Sequence, residues 1–218
     1  MNTLTFDIET IPQKNISDIH EEELQKKIKS YLKYNDTPPE GMDEVRRLLM
    51  GTNPFFGEIV CIGLKQINTT GQYDERALVG TEKDILCEFW RILSKFQRGL
   101  FISYNGISFD VPFILKRSMV HQLTPTNKLF LDTRRFSKFP HFDVKLVLSD
   151  FDRYQGCTLR LACEHLGVPS PKEGDIAAKD VAQAYEDGRI KEIAEYCLRD
   201  VTATYEAYKI TKKFTYIR

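Results

Sequence analysis

The order of strand-like segments constrains the fold of this chain more than any other feature of its sequence. Apolar or alternating patterns predict strands over residues 4–10, 58–67, 72–79 and 99–105, and a weaker strand over 128–133. The first three strand patterns precede a long helical pattern, whereas the fourth and fifth each follow a helix. That order predicts an α/β fold in which a mixed five-stranded sheet is flanked by helices.

Helical periodicity accounts for most of the remaining chain. The spacing of apolar residues predicts helices over residues 81–96, 108–120, 144–151, 158–167, 179–188 and 190–212. Thr81 is expected to cap the first of these helices. Pro112 is acceptable in the second helix only within its first turn. The second half of the chain is therefore predicted to be mainly helical.

The segment between the first two strands is predicted to be a largely helical insertion over residues 12–56. It contains helical patterns at 18–34 and 42–50, separated by a proline-rich loop at 35–41. The segment is too polar to form part of the main core. We expect the whole chain, 1–218, to form one domain that carries this insertion.

Composition limits the class of protein without identifying a partner. The chain has 218 residues, 42% of them hydrophobic, with 31 basic and 31 acidic side chains and no net charge. A strongly basic domain would indicate nucleic acid through its charge alone, and this one does not. The sequence does not open on a charged segment followed by an apolar stretch, it has no apolar run near 18 residues, and its five cysteines form no CxxC pair. We therefore expect a soluble cytoplasmic protein, with reduced cysteines and no membrane partner.

Acidic side chains recur where strands end or helices begin. Asp7 and Glu9 lie two residues apart on the first strand and therefore share one face of the sheet. Asp110 follows the fourth strand, and Tyr196 and Asp200 lie four residues apart on the last helix, hence on one helix face. Taken singly, each has an ordinary alternative: a solvated pair, a capping acid, a core tyrosine and a charged helix face.

Together the segments DIET, YNGISFD and YCLRD resemble the three motifs of the DEDD superfamily of 3′–5′ exonucleases. They are most similar to the exonuclease domain of family B DNA polymerases. The resemblance covers nearly the whole chain and suggests the bacterial group of stand-alone exonucleases related to that domain. Position 196 is Tyr, and position 195, where other members have His, is Glu, so the chain resembles the Tyr branch. The element order is also that of the ribonuclease H-like fold.

The resemblance implies a metal-dependent phosphodiester hydrolase that uses two divalent cations, Mg²⁺ or Mn²⁺. It implies that Asp7 bridges both ions and that Glu9 and Asp200 complete the ion that activates water. Asp110 is expected to support the second ion, directly or through water. Tyr196 is expected to orient the attacking water rather than to remove its proton, since a free tyrosine has a pKa near 10. The product is expected to be a 5′-mononucleotide released from a 3′ end.

Substrate contacts follow from the same resemblance. Thr10 and Ile11 are expected to supply backbone contacts to the 3′-hydroxyl and an apolar wedge. Phe109 is expected either to stack near the terminal nucleotide or to belong to the core. Asn105 is expected either to contact the sugar or backbone or to form a turn with Gly106.

Two further segments allow simple interpretations. The basic and aromatic run at 134–139 is either a phosphate-binding segment or a solvated charge cluster. His141 and Asp143 are interpreted as structural, with Asp143 as a helix-capping acid.

Three functions remain open from the sequence. The first is an exonuclease on single-stranded DNA with a free 3′ end. The second is an exoribonuclease of the same superfamily, since contacts to the 2′-hydroxyl cannot be located from sequence. The third is an inactive interaction module that binds a partner through residues 12–56, although the presence of all four acids and Tyr196 argues against it. Because residues 1–218 contain no segment that we interpret as a polymerase domain, we expect a proofreading role to require a separate polymerase or repair partner.

Overall fold

The computed structural model describes residues 1–36, 38, 41–96, 98–152, 155–170 and 176–216. The five strands are β1 (Asn2–Pro12), β2 (Gly57–Ile67), β3 (Tyr73–Val79), β4 (Gly99–Ser103) and β5 (His141–Asp143). The α-helices are α1 (Asp18–Tyr31), α2 (Met42–Gly51), α3 (Glu82–Lys95), α4 (Asp110–Val120), α5 (Val144–Leu148), α6 (Leu159–Leu166), α7 (Val181–Glu186) and α8 (Ile190–Thr211). The loop predicted at 35–41 lies partly outside the described residues.

The strands form one mixed sheet in the order β3-β2-β1-β4-β5. β1 pairs with β2, and β2 with β3, in antiparallel fashion, whereas β1 pairs with β4, and β4 with β5, in parallel. The predicted α/β fold with a mixed five-stranded sheet is confirmed. The first strand lies at the centre of the sheet, between an antiparallel and a parallel neighbour.

The prediction of a strand at residues 128–133 is wrong. Leu129–Leu131 is a 3₁₀ turn, and the fifth strand is the three-residue β5. The turn is fixed by the buried Asn127 side chain, whose Nδ2 donates to the carbonyls of Leu93 and Phe96 while its Oδ1 accepts from the Leu129 N–H. These bonds hold the segment against α3 and replace the ladder bonds of a strand, and Phe130 enters the core from the turn.

Alternation along β1 assigns its side chains to two different layers. Leu4, Phe6 and Ile8 are buried in a cluster with residues of α3 and α4. The residues between them point to the opposite face, where α8 packs on β1 and β2. Asp7 and Glu9 therefore face α8.

The predicted helical insertion is present as α1 and α2, and it buries an apolar cluster of its own. Leu24, Ile28, Val45, Met50 and Phe56 form this cluster, separate from the main core. A backbone bond from the Gln13 N–H to the Phe56 carbonyl (2.8 Å) ties its far end back to β1. The segment as a whole is polar, but its few apolar residues are enough to pack the two helices together.

The helix starts follow the predicted caps. Thr81 accepts a hydrogen bond from the Asp84 N–H, and Asp143 caps α5 by accepting from the Leu146 N–H. Pro112 falls in the first turn of α4, where its missing N–H has no helical partner to lose. These local signals explain why the helices were predicted within a few residues of their observed ends.

His141 makes the stability of the protein sensitive to acid. Its ring is buried, and its Nε2–H donates to the Phe130 carbonyl (2.9 Å). Burial lowers its pKa from 6.5 to about 4, and the hydrogen bond to Phe130 and the charge of Asp132 offset this only in part. The unfolded chain therefore takes up a proton first. The free energy of unfolding should fall by about 3 kcal/mol as the pH drops from 6.5 to 4, at about 1.36 kcal/mol per pKa unit. Urea denaturation of wild type and His141→Gln across this range measures the effect, which the variant should lack. Equal pH slopes in the two proteins would show that His141 does not titrate as described.

Candidate active site

Asp7 and Glu9 bring two carboxylates together beside helix α8. One carboxylate oxygen of Asp7, one of Glu9 and the Cys197 Sγ all lie within 4.8 Å of one another. Glu9 is buried and Asp7 is partly buried. The predicted pair therefore shares one face of β1, as its spacing of two residues requires.

A β-bulge just after Glu9 interrupts the regular pairing of β1 with β2. Glu9 pairs with Cys61 and Thr10 with Ile59, so one residue of β2 is skipped between them. The Thr10 hydroxyl donates to the Gly51 carbonyl of α2 at 2.7 Å. Ile11 is only 3% exposed and packs in a cluster that includes Cys197. The side chains of Thr10 and Ile11 are thus engaged inside the protein.

Asp110 lies at the start of α4 and contacts the backbone between the two acids of β1. Its carboxylate is buried, and its Oδ1 accepts a hydrogen bond from the Ile8 N–H at 3.0 Å. The bond joins residues that are 102 positions apart in sequence. It fixes the third acid against the strand that carries the first two.

The loop before Asp110 is held by Asp143, whose role the sequence revealed only in part. Besides capping α5, its buried carboxylate accepts from the N–H groups of Asn105 (2.9 Å) and Ile107 (3.1 Å). Asn105 has a φ of 68°, a left-handed conformation that asparagine tolerates in turns. Phe109 is partly buried, with its ring centroid 5.6 Å from that of Phe113.

Helix α8 supplies Tyr196 and Asp200 from the other side. The charge of Asp200 raises the pKa of both Asp7 and Glu9, and burial and the charges of these three acids raise the pKa of Tyr196. The helix comes this close because the strand partner of Asp7 is Gly63. A Cβ at Gly63 would lie 2.8 Å from the Cys197 Sγ.

Cys197 is the residue of this site that the sequence reasoning missed. Its buried thiol lies 3.8 Å from Asp7 Oδ2 and 3.5 Å from the Asp7 carbonyl oxygen. It precedes Asp200 by three residues, a spacing that places both on one face of α8 and could have identified it.

The electrostatics of the site are those of crowded carboxylates. Burial and the charges of Asp110, Glu9 and Asp200 raise the pKa of Asp7 well above its ordinary range. Burial and Asp200 do the same for Glu9, and burial, opposed by backbone hydrogen bonds, raises the pKa of Asp110 to about 7. Among the described residues, no lysine, arginine or histidine forms a salt bridge with Asp7, Glu9 or Asp110. Hard carboxylate oxygens that repel one another are a suitable set of ligands for Mg²⁺ or Mn²⁺.

Comparison with known families places the chain beside polymerase exonucleases. Residues 58–215 match the model of a family described as "Predicted 3'-5' exonuclease related to the exonuclease domain of PolB". The matched range includes Asp110, Tyr196 and Asp200, whereas Asp7 and Glu9 lie before it. The first strand is joined to the matched part by its pairing with β2 and β4 and by the hydrogen bond from Ile8 to Asp110.

Archaeal DNA polymerases are among the similar sequences. A DNA polymerase of Thermococcus gorgonarius is 28% identical over 145 residues, covering 61% of this chain and 18% of the polymerase. One from Thermococcus aggregans is 22% identical over 206 residues, covering 79% of this chain and 11% of the polymerase. The chain therefore spans less than a fifth of the length of these relatives.

A solved structure shares the fold over almost the full chain. The family B DNA polymerase of the hyperthermophilic archaeon Pyrobaculum calidifontis superposes with a TM-score of 0.61 at 18% identity, covering 98% of this chain and 25% of the polymerase. This supports the ribonuclease H-like fold. Within the part of the chain that the structure describes, we find no helix with the length and apolar character needed to span a membrane.

Proposed function

The chain belongs to the family of predicted 3′–5′ exonucleases related to the exonuclease domain of PolB, and from this premise we propose that it removes 5′-mononucleotides from the 3′ end of single-stranded DNA. The observation that carries the proposal is that Asp7, Glu9, Asp110 and Asp200, which come from three separate elements, lie near enough for their charges to raise one another's pKa. Buried like charges destabilise a fold unless a ligand compensates them. Cations held by these carboxylates beside a phosphodiester would compensate the repulsion among the buried charges.

These four carboxylates are proposed to hold two divalent cations, Mg²⁺ or Mn²⁺. The donor set fits, because it consists of hard oxygen ligands that lack a salt-bridge partner at Asp7, Glu9 and Asp110 among the described residues. Two such ions supply charge shielding for the phosphate and the leaving oxygen and lower the pKa of a water. The protein's own contribution is to fix the acids, through the Ile8–Asp110 hydrogen bond and the close approach of α8 at Gly63.

Tyr196 is proposed to orient the attacking water from the Asp200 side of the site. Burial and the nearby carboxylates of Asp200, Glu9 and Asp7 raise the pKa of Tyr196, so its hydroxyl stays protonated at any ordinary pH. A neutral phenol can donate and accept hydrogen bonds but is a poor base. We therefore propose that the chain belongs to the Tyr branch of the DEDD superfamily.

Tyr196→Phe separates this positioning role from metal binding. We expect the variant to remain folded and to bind Mn²⁺ as wild type does, while single-turnover cleavage slows by roughly 10²–10⁴-fold, the usual contribution of a positioned catalytic hydrogen bond. The rise of rate with pH should persist, since the tyrosine is not the group that titrates. Rates measured from pH 6 to about 10 test both points. A variant as fast as wild type would reduce Tyr196 to a packing residue, and loss of the pH dependence would make it the base.

Four residues are proposed to contact the substrate. Because the side chains of Thr10 and Ile11 are engaged inside the protein, their contact with the terminal 3′-hydroxyl is proposed through the backbone at the bulge. Asn105 and Phe109 flank the turn before Asp110, where a sugar and a terminal base would lie. We further propose cytoplasmic action, which the five free cysteines support, with a separate polymerase or repair protein as partner.

A time course with Mn²⁺ or Mg²⁺ on matched 3′-labelled and 5′-labelled oligomers tests the polarity and the substrate. The 3′ label should be released at once as a mononucleotide, while the 5′ label should pass through a ladder of shortening products. Flush duplex should react more slowly than single strands, because unpairing the terminal nucleotide costs a few kcal/mol. Single-stranded DNA should be preferred to RNA. Release from the 5′ end, or equal rates on duplex and single strand, would refute the proposal, and a preference for RNA would make the protein an exoribonuclease.

A further inference from the structure

A second concave site lies beside the loop that leads to Asp110. It is a cavity of about 220 Å³ whose lining includes Ile107, Phe136, Leu146 and Phe151. Asp143 accepts hydrogen bonds from the N–H groups of both Ile107 (3.1 Å) and Leu146 (3.2 Å). One buried carboxylate thus fixes two walls of the cavity and, through the same loop, the position of α4.

Two phenylalanines at this cavity are held in an unusual backbone conformation. Phe136 and Phe151 have φ values of 63° and 61°, which bulky side chains rarely adopt. Their ring centroids lie 5.6 Å apart at 64°, and Phe136 remains 66% exposed. Such backbone conformations are strained, and they cluster at ligand sites. The result is an aromatic ring presented to solvent at the cavity.

Arginines supply positive charge at the same place. The Arg135 guanidinium lies 5.5 Å from the centroid of the Phe136 ring, and Arg135 forms no salt bridge with any residue that the structure describes. The neighbouring Arg134 is instead neutralised by Asp132, with Nε 2.7 Å from Oδ1. One uncompensated guanidinium therefore stands over an exposed aromatic ring. This combination suits a stacked base together with a phosphate.

We propose that this cavity binds a nucleotide upstream of the 3′ terminus, with its base against Phe136 and its phosphate against Arg135. The inference rests on the proposed function: if the 3′ end occupies the carboxylate site, the rest of the strand must leave it in the 5′ direction. The loop from Asn105 to Asp110 is shared by both sites, so a nucleic-acid strand would have only a short distance to span between them. The cavity is smaller than the roughly 300–1,000 Å³ of sites for drug-sized ligands. It therefore accepts one planar base rather than a folded segment.

The test compares two substrates, only one of which is long enough to occupy the cavity. The 4-nitrophenyl ester of thymidine 5′-phosphate carries no upstream nucleotide, whereas a twelve-residue oligo-dT does. For Phe136→Asn, a residue that tolerates left-handed backbone, kcat/KM on the oligomer relative to the ester should fall about 5- to 100-fold, as removal of a stacking aromatic implies. For Arg135→Gln, anisotropy of labelled oligo-dT against salt should show a slope smaller by about 0.7, the value for one phosphate contact on a single strand.

Lys33→Gln and Tyr34→Asn are the matched controls, because they alter another exposed basic–aromatic pair, just after α1, and neither residue lines this cavity. They should leave both the ratio and the salt slope as in wild type. If Phe136→Asn and Arg135→Gln also leave both unchanged, the cavity is not part of the strand path, although the proposed function stands. If wild type cleaves neither substrate, the proposed function fails instead. In that case the anisotropy measurement still decides whether the cavity binds a strand, and an unchanged affinity in both variants would overturn the inference.

Discussion

Replacing Asp7 by asparagine is expected to abolish nuclease activity while leaving the protein folded. Loss of a group that merely supports a metal ligand costs roughly 10–100-fold, and Asp7 is itself proposed as a ligand of both ions, so the loss should exceed 100-fold. Because burial and three carboxylates raise its pKa, ionised Asp7 opposes folding above about pH 4. The metal-free variant should therefore be more stable than wild type at pH 7, by thermal denaturation in EDTA.

Asp74→Asn is the control, since Asp74 is an exposed acid on β3 that pairs with Arg76. This variant should keep wild-type activity and the wild-type rise in Tm on addition of Mn²⁺, whereas Asp7→Asn should lose most of that rise. An Asp7→Asn protein that cleaves DNA at a wild-type rate, or that is destabilised without metal, would contradict the assignment of Asp7.

Arg117→Ala should produce the largest loss of stability outside the carboxylate site. Arg117 and Glu82 are both buried, at 6% side-chain exposure each, and form a two-point ion pair at 2.7 and 2.8 Å. The Glu82 carboxylate also accepts from the Ile59 N–H and contacts His121 Nε2 at 2.7 Å. Removing the arginine leaves a buried carboxylate without its main partner, which typically costs about 3–5 kcal/mol. Urea denaturation at pH 7 measures the change in the free energy of unfolding.

Arg46→Ala provides the comparison, because Arg46 makes a similar two-point pair with Glu21 on the surface of the insertion. With side-chain exposures of 34% and 39%, that pair should contribute no more than about 1 kcal/mol. Equal losses in the two variants would show that burial of the Glu82–Arg117 pair does not set its importance. Arg117→Ala should also weaken nuclease activity, because Arg117 lies on α4, the helix that carries Asp110 at its start.

Local patterns in the sequence were enough to predict most elements and the orientation of the first acids. Strand alternation placed Asp7 and Glu9 on one face, and cap residues such as Thr81 and Asp143 marked helix starts. Both signals depend on residues within one element. The resemblance of three short motifs then grouped acids that no local rule connects.

Long-range packing explains what the sequence did not reveal. The segment around Leu129 has the composition of a strand, but Asn127 bonds to carbonyls of α3 and holds it as a turn. The fifth strand has only three residues, too few for any periodicity. Cys197 reaches Asp7 only because Gly63 lets α8 approach β2. These features depend on contacts between elements distant in sequence, which spacing alone does not encode.

The central claim is that the carboxylates of Asp7, Glu9, Asp110 and Asp200 hold divalent cations at the point where a 3′-terminal phosphodiester is cleaved. The most direct measurement is anomalous diffraction from crystals of the wild-type protein with saturating Mn²⁺ and thymidine 5′-monophosphate. We expect two anomalous peaks among these four side chains, with the nucleotide phosphate against them, and loss of at least one peak in Asp7→Asn. Mn²⁺ density elsewhere in the crystal, with none among these carboxylates, would contradict the account.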